Sequence, residues 1–368
     1  MSDGIPVEVA EKDQAGALPA RLLSKRTLIT ITVALAVVVV VVWRANVPWA
    51  GAWAEIRRAN VALYVLAGVV YYLSFVARGV RWQVLLANAG EPRRVRRLTP
   101  LILASFFVNC VVPAKMGDFY RAYLARVRER IPGSKALGTV VSERLLDISV
   151  IMTLLLASSA YVFHKRSSAT LIPYVVGGAA LCLAGAGLIV LMRSGRGARV
   201  LRLLPAPLFR RYESFRSGAV SSLRRWPTLL GLTVMVWACE SGRLGLVIAA
   251  LGLSQRVGIS QFVMVALVAA LLTSVPFTPG GVGLVQAGVA TTLVLVAGLS
   301  RTRAISVALL DGSISYGSLV VIGFVVFAVL NVRMSRAAAQ GAHHEARLGS
   351  EPTLAGRADQ TATTGRVA

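Results

Sequence analysis

The stretch Pro113-Ala-Lys-Met-Gly117 interrupts one apolar run of this chain, and Pro279-Gly-Gly-Val-Gly283 interrupts another, with proline and glycine at matching spacing 166 residues apart. Proline removes a backbone donor and glycine weakens a helix, so both stretches predict breaks. Irregular backbone at membrane depth is tolerated only where protein or a water-filled cavity satisfies the freed polar groups. The pair therefore predicts two related halves with a polar site between them.

Composition identifies the class of protein. Hydrophobic residues make up 56% of the chain, charged residues 15%, and the mean hydropathy is +0.68, far from an ordinary globular protein. Apolar runs of roughly 20 residues, enough to cross a ~30 Å hydrocarbon core as helix, recur along the chain. We predict an all-α polytopic integral membrane protein with about seven or eight transmembrane helices, two broken or re-entrant segments and an inverted repeat.

Apolar runs predict the positions of the spans, and basic segments predict their orientation. Full spans are expected at 27–43, 61–76, 137–163, 171–192, 227–251 and 304–330, and shorter segments at 98–113, 259–275 and 284–297. Arginine-rich segments at 93–97, 126–135 and 193–225, the last expected to be a loop, indicate the cytoplasmic side. The two breaks would then enter from opposite faces.

The same signals predict the domain organisation. We expect a cytoplasmic N-terminal segment at 1–26, a membrane domain at 27–330 and a disordered cytoplasmic tail at 331–368. The predicted location is the bacterial inner membrane, with both termini cytoplasmic.

Several functional classes are disfavoured. The formal charge of +24 comes from basic residues that flank apolar segments, without interleaved aromatics, so nucleic-acid binding is not expected. The three cysteines and three histidines show no ligand spacing, which predicts neither a metal site nor a disulfide framework. No cofactor is expected.

Charges inside apolar segments are informative because each costs ~2.5–3.5 kcal/mol at a helix centre and needs a partner or water. Glu143 and Asp147 share a helix face that could hold an arginine such as Arg121. Glu240 and Arg243 are three residues apart, which leaves internal pairing and ligand contact both open. Asp311 has no basic residue within a turn, so it is our candidate for proton coupling.

Residues around each break suggest different chemistry. Lys115, Asp118 and Arg121 at the first break are suited to a phosphate group, because a guanidinium fork and free helix-start amides favour anions. The alternative is an interfacial helix that touches lipid headgroups nonspecifically. At the second break the pattern is Pro276, then Pro279, Gly280, Gly281 and Gly283, followed by Gln286; its glycines permit positive φ and close backbone approach.

An ordered set of motifs resembles the lysylphosphatidylglycerol synthase transmembrane region, also called the flippase-like domain family. These motifs, which lie within about residues 25–330, are Arg78-Gly-Val-Arg81-Trp82, Asn109, Val112-Pro-Ala-Lys-Met-Gly-Asp118 with Arg121, Glu143-Arg144-Leu-Leu-Asp147 and Thr278-Pro-Gly-Gly-Val-Gly283. The resemblance implies an inner-membrane protein whose best-known relatives move an aminoacylated phospholipid between leaflets.

The resemblance has limits at two places. Synthase relatives add a soluble aminoacyl-transfer domain after the membrane part, so we expect a stand-alone member that does not itself make the lysyl lipid. The family pattern usually has a glutamate where this chain has Gln286 and an arginine where it has Asp311. These departures predict that the local charge at the second site changes from balanced to negative, so the resemblance does not carry the family's substrate details over to this chain.

The leading hypothesis is a non-enzymatic lipid flippase for a phospholipid or polyprenyl-linked headgroup. In this hypothesis the phosphate of the lipid headgroup contacts Lys115 and Arg121, and the other residues of the headgroup site are Arg81, Asn109, Asp118 and Arg144. A separate charge and coupling network is formed by Glu143, Asp147, Glu240, Arg243 and Asp311. The alternatives are a non-catalytic envelope-complex partner and an intramembrane headgroup transferase with Asp118 or Glu143 as base. The expected partners are anionic or aminoacylated phospholipids or polyprenyl-linked lipids; a homo-oligomer and an envelope enzyme partner stay open.

Overall fold

The computed structural model describes residues 49–112, 115–162, 205–274 and 281–332, and four isolated positions between 180 and 194. Several predictions lie outside these described residues: the N-terminal segment 1–26, the span 27–43, nearly all of the span 171–192, the tail from 333 onward, and the break residues Pro113, Pro276, Pro279 and Gly280.

All regular elements in the described residues are helical, which confirms the all-α prediction for this part of the chain. In chain order they are α1 (Trp49–Arg57), α2 (Val61–Asn88), α3 (Val95–Val111), α4 (Met116–Glu129), α5 (Gly133–Val162), α6 (Ala206–Ser222), α7 (Trp226–Ala250), α8 (Ile259–Ser274), α9 (Leu284–Ala297) and α10 (Arg301–Gly312). A 3-10 turn joins α6 to α7, and a π-helical turn, Ser313–Ser318, follows α10. Residues 319–332 are again α-helical, and those from Val325 onward belong to a second compact unit.

Among the described residues, three helical stretches are long and apolar enough to cross a membrane: Val61–Asn88, Ala206–Ala250 and Arg301–Val332. Two further apolar helices, α8 and α9, are shorter. The 30 residues of α5 are also long enough, at 1.5 Å per residue, to cross a ~30 Å core. This pattern is that of a multi-pass helical membrane protein.

Helix α6 corrects one prediction, because it lies within the segment 193–225 that was expected to be a loop. A Cβ on Gly218 of α6 would come within 2.2 Å of the Lys135 carbonyl oxygen, and a Cβ on Gly138 of α5 would come as close to the Phe215 carbonyl oxygen. The two helix backbones can therefore cross at very short distance. The basic composition of the segment did not reveal this helix, because its contact with α5 joins residues that are distant in the chain.

The antiparallel pair of α2 and α7 forms the centre of the first compact unit. The backbone N–H of Asn60 donates to the Ala250 carbonyl at 2.8 Å, and the Asn88 side-chain amide donates to the Ser222 carbonyl at 2.7 Å. The start of each helix therefore lies beside the end of the other. Between these ends, Arg78 pairs with Glu240 at 2.9 Å.

Shorter helices follow each central helix in the same arrangement. Helix α3 packs on α2 and α4, and α4 packs on α5; helix α8 packs on α7 and α9, and α9 packs on α10. At the first break the α3 and α4 backbones are so close that a Cβ on Gly117 would meet the Ser105 carbonyl oxygen at 1.9 Å. Each half thus consists of a long helix, a broken pair and a closing helix.

We expect Gly218→Ala to lower the melting temperature of the detergent-solubilised protein. Alanine normally stabilises a helix by ~0.5–1 kcal/mol relative to glycine, but at this position its methyl group would have to displace the α5 backbone, and overpacking of this kind costs about 1–3 kcal/mol. The control is Gly231→Ala on α7, where a Cβ meets nothing within 4 Å. Equal effects of the two substitutions on thermal unfolding would contradict the close crossing.

Candidate functional site

Arg81 of α2 is the centre of a buried group of charges that we call the first-break cluster, formed by Arg81, Lys115, Asp118, Arg121, Glu143, Arg144 and Asp147. Its guanidinium group is fully buried and donates to Asp147 at 2.6 Å and to Glu143 at 2.8 Å, both on α5. It also donates to the Thr233 hydroxyl of α7 at 3.1 Å. One arginine therefore joins three helices.

Arg121 of α4 is the second buried cation of this cluster. It donates to the other carboxylate oxygen of Glu143 at 2.8 Å, and its guanidinium carbon lies 3.8 Å from the ring centroid of Trp82. A cation on an aromatic face is stabilised by the ring quadrupole, more strongly where water is excluded. The expected arginine on the Glu143 and Asp147 face is therefore present, with Arg81 beside it.

Arg144 and Lys115 form the more open side of the first-break cluster. Arg144 makes a two-pronged contact with Asp118, both nitrogen–oxygen distances being 3.0 Å, and its side chain remains 29% exposed. Lys115 is half-buried, and no carboxylate in the described part of the chain lies within ion-pair distance of its ammonium group. Since three arginines face three carboxylates, Lys115 is the excess positive charge of the cluster.

The electrostatic environment of Lys115, which lies between α3 and α4 and outside the three candidate spans, disfavours its charged form. Burial lowers the pKa of the ammonium group, and the nearby Arg144 guanidinium lowers it further, while Asp118 and Asp147 act in the opposite direction. An additional anion next to Lys115 would restore the balance.

The structure changes the roles expected for several headgroup ligands. Arg81 and Arg121 are held by carboxylates inside the protein and are not presented at an open surface, which corrects their grouping with Lys115 as phosphate ligands. The Asn109 side chain accepts a 2.8 Å hydrogen bond from the Gly117 N–H, so it shapes the break. Sequence spacing could not show this, because the partners come from different helices.

A second group of charges, the central cluster, consists of Arg78, Glu240, Arg243 and Asp311. Arg243 pairs with Asp311 of α10, and its Nε lies 3.5 Å from Glu240. Glu240 also accepts from Arg78 and, at 3.2 Å, from the Ser74 hydroxyl of α2. The cluster is electrically balanced and bridges both halves.

Two sequence predictions are revised by the central cluster. Asp311 was chosen as a proton carrier because it had no local partner, but Arg243, 68 residues earlier in the chain, supplies one. The internal pair of Glu240 and Arg243 exists, yet both residues also bind groups on other helices. Sequence reasoning gave Arg78 no site role, although its position one turn before Arg81 on α2 places the two cations near one helix face.

The second break carries no charged side chain among its described residues. Gly281 and Gly283 have φ of 74° and 84°, the positive φ values that the glycines were expected to allow. The Gln286 side chain accepts a 2.7 Å hydrogen bond from the Gly283 N–H, and its amide lies against Gly312 of α10. Within the described residues, no group of His, Cys, Asp or Glu could hold a metal ion.

Comparisons with known proteins agree with this architecture. The model of the lysylphosphatidylglycerol synthase TM region family matches residues 31–323. Glycosyltransferase AglD of Haloferax volcanii is 27% identical over 322 residues, which is 77% of this chain but only 51% of AglD. Membrane protein MJ1078 of Methanocaldococcus jannaschii, of the group UPF0104, is 28% identical over 61% of this chain and 94% of its own length. A Pyrococcus horikoshii member of that group, PH1989, is 22% identical over 80% and 93%.

We expect Glu143→Gln to destabilise the protein strongly. The substitution removes the partner of two buried arginines, and an uncompensated buried charge costs about 3–5 kcal/mol. The matched control is Glu213→Gln, which breaks a pair with Arg216 at a half-exposed glutamate and should cost at most about 1 kcal/mol. The measurement is the free energy of unfolding in mixed micelles. Comparable losses for the two variants would show that the first-break cluster is solvated.

Proposed function

The chain belongs to the lysylphosphatidylglycerol synthase TM region family, and from this premise we propose that it binds the phosphate of a lipid headgroup at the first break and moves the headgroup between leaflets. The excess positive charge of Lys115, beside the partly exposed Arg144, is the single observation that carries the proposal. Lys115 lies where a helix is broken, Arg144 of α5 contacts Asp118 just after that break, and such breaks line the polar sites of transport proteins.

The backbone of Lys115 supports a role for its side chain. This residue caps the start of α4 in the left-handed region, with φ of 52° and ψ of 36°. For a residue with a side chain this conformation costs about 1–2 kcal/mol, which glycine would avoid. A lysine held there against that cost, next to a helix start, suits the recognition of an anion.

Arg144 and Asp118 provide the exchangeable part of the proposed site. A phosphate offers the same two-pronged acceptor geometry to a guanidinium group as the Asp118 carboxylate does. Arg144 can therefore turn from Asp118 to an incoming phosphate without losing its hydrogen bonds. Met116 and Phe119, both exposed on α4, offer apolar contact for acyl chains beside the headgroup.

We extend the proposal to the membrane topology. The pairs α3–α4 and α8–α9 would be re-entrant hairpins in a protein with about seven or eight crossings. The arginine-rich segments at 93–97 and 126–130 would face the cytoplasm, as would both termini. The relatives named above come from archaea, so the bacterial inner membrane stays a prediction, as do a homo-oligomer and an envelope partner.

Headgroup transfer is the second candidate function, favoured by the name of AglD, a glycosyltransferase that is similar to this chain over about half of its own length. Asp118 or Glu143 would act as the base. Glu143 is bound by two arginines, which leaves Asp118, at the more open side, as the better candidate. A transferase would convert a lipid-linked donor chemically, whereas a flippase would return it unchanged.

We expect Lys115→Gln and Arg144→Gln each to slow leaflet exchange of labelled phosphatidylglycerol about tenfold, since losing ~1.4 kcal/mol of interaction changes a rate or affinity tenfold. Purified protein in vesicles would be tested with this lipid, with a lysyl derivative and with a polyprenyl phosphate. The control is Arg303→Gln, which removes a partly exposed cation paired with Glu55. Wild-type rates in both variants, or no exchange of any lipid by folded wild-type protein, would contradict the proposal.

The lowered pKa of Lys115 predicts a pH dependence. As the pH rises through that pKa, which lies below the ordinary lysine value, the ammonium group loses its charge and exchange of the anionic lipid should slow. Lys115→Arg keeps the charge throughout this range, so it should remove the alkaline loss. Lys135→Arg, which changes a lysine paired with Glu91, is the control. The same alkaline loss in both variants would exclude Lys115 as its source.

A further inference from the structure

The two charge clusters contain the same ion pair at equivalent positions of the chain. Arg81 of α2 pairs with Asp147 of α5, 66 residues later, and Arg243 of α7 pairs with Asp311 of α10, 68 residues later. In each pair an arginine on the long helix before a break meets an aspartate on the helix after it. The two arginines are 162 positions apart, and the two aspartates 164.

Uncharged contacts repeat with nearly the same offset. The Ser142 hydroxyl of α5 donates to the Ala219 carbonyl of α6 at 2.7 Å, and the Ser306 hydroxyl of α10 donates to the Ala52 carbonyl of α1 at 3.3 Å. The serines are 164 positions apart and the alanines 167. The contact of α5 with α6 therefore corresponds to the contact of α10 with α1. In both contacts, a helix of one half touches a helix of the other half.

The exchange of partners shows which symmetry relates the halves. Asn60 contacts Ala250 and Asn88 contacts Ser222, while Ser222 and Ala250 lie 162 positions after Asn60 and Asn88. Each residue thus contacts the counterpart of the other, which is the signature of a two-fold interface. The pair of Arg78 and Glu240, also 162 positions apart, lies where such an axis would pass. Since α2 and α7 are antiparallel, the axis runs across them.

The same correspondence aligns the two breaks. Lys115 and Gly281, 166 positions apart, are both left-handed, and Gly117 and Gly283 follow each at the same distance. The charged residues of the first break have uncharged counterparts at offsets of 164 to 166: Gly281 for Lys115, Leu284 for Asp118, Ala287 for Arg121 and Ala308 for Arg144. Of the charged residues in the two clusters, only the buried pair of arginine and aspartate recurs in both halves.

We infer that the chain is an internal two-fold repeat in which the first break is an anion site and the second is a neutral polar site, so that a phosphate headgroup is captured from one membrane face only. The inference rests on the proposed function and adds its sidedness. The two-fold axis across α2 and α7 turns the breaks toward opposite faces. The arginine-rich segments at 93–97 and 126–130 place both ends of the α3–α4 hairpin at the cytoplasmic face, so the first break, at the tip of this hairpin, lies deeper in the membrane.

The side chains near the second break suit the uncharged part of a headgroup. The Tyr316 hydroxyl is hydrogen-bonded to the Thr273 side chain, and a Cβ on Gly281 would lie 3.7 Å from that hydroxyl. Gln286 adds an amide. Hydroxyl and amide groups hydrogen-bond glycerol or sugar hydroxyls well, but without a cation they hold a phosphate weakly. A headgroup bound tightly at the first break is thus released more easily at the second.

The first test is binding of dihexanoylphosphatidylglycerol to the full-length protein in detergent, measured by native mass spectrometry. We expect one bound lipid per chain. The double variant Lys115→Gln/Arg144→Gln should lose about tenfold or more in affinity, whereas Thr273→Val/Gln286→Leu should lose less than about twofold. Equal losses, or a second bound lipid that only the second-break variant removes, would overturn the one-sided site while leaving phosphate recognition intact.

A comparison with a zwitterionic lipid and a competition with inorganic phosphate distinguish the remaining explanations. No binding by the folded wild type, or equal binding of dihexanoylphosphatidylcholine by wild type and the first-break variant, would overturn the proposed function and this inference together. Displacement by an equal concentration of inorganic phosphate would assign the site to the free anion and overturn capture of a lipid. If the lipid stays bound in the presence of that phosphate, the result supports capture of a lipid headgroup.

Sidedness has its own measurement. In vesicles with one protein orientation, a membrane-impermeant amine reagent should label Lys115 from one face only, and phosphatidylglycerol should reduce that labelling. Peptide mass spectrometry locates the label, and Lys115→Arg gives the background. Labelling of Lys115 from both faces would overturn the inference.

Discussion

The ion pairs of Arg81 with Glu143 and Asp147 are the constraint on which the rest of the structure depends. Each of these charges would be costly to bury alone, and together they are tolerated only while their geometry is kept. Because Arg81 also binds Thr233, and Asp147 also accepts from Trp237 at 3.2 Å, helices α2, α5 and α7 must keep a fixed register. Arg121 can then enter beside Glu143, which positions α4 and the first break.

Burial distinguishes the ion pairs that both halves share from the more open charges of the first half. Charges that both halves share, Arg81 with Asp147 and Arg243 with Asp311, are buried and paired. Of the charges that distinguish the first half, Arg121 and Glu143 are buried against each other, whereas Lys115 and Arg144 lie nearer to an open surface. Because the buried charges balance one another, the excess positive charge of Lys115 at their edge can attract an anion while the buried ion pairs stay intact. The asymmetry between the halves therefore reaches an open surface at Lys115 and Arg144, where a ligand would enter.

Prediction from sequence succeeded where the signal is local. Hydropathy identified the helical membrane class, and the matched Pro and Gly stretches identified the breaks, because helix period and backbone conformation depend on neighbouring residues. The face shared by Glu143 and Asp147 followed from a spacing of four residues. Prediction was less successful at Asp311, whose partner Arg243 lies on another helix, and at α6, whose close glycine crossing with α5 joins segments that are distant in the chain.

The sequence by itself determined that this is a helical membrane protein with two related breaks and a set of charges too costly to leave unpaired. Only the tertiary structure decided which charges meet. Arg78 and Arg81 are one turn apart on the same helix, yet one crosses to Glu240 and the other to Glu143 and Asp147. The reason is physical: burial penalises every unpaired charge, but helix packing alone determines which partner is within reach.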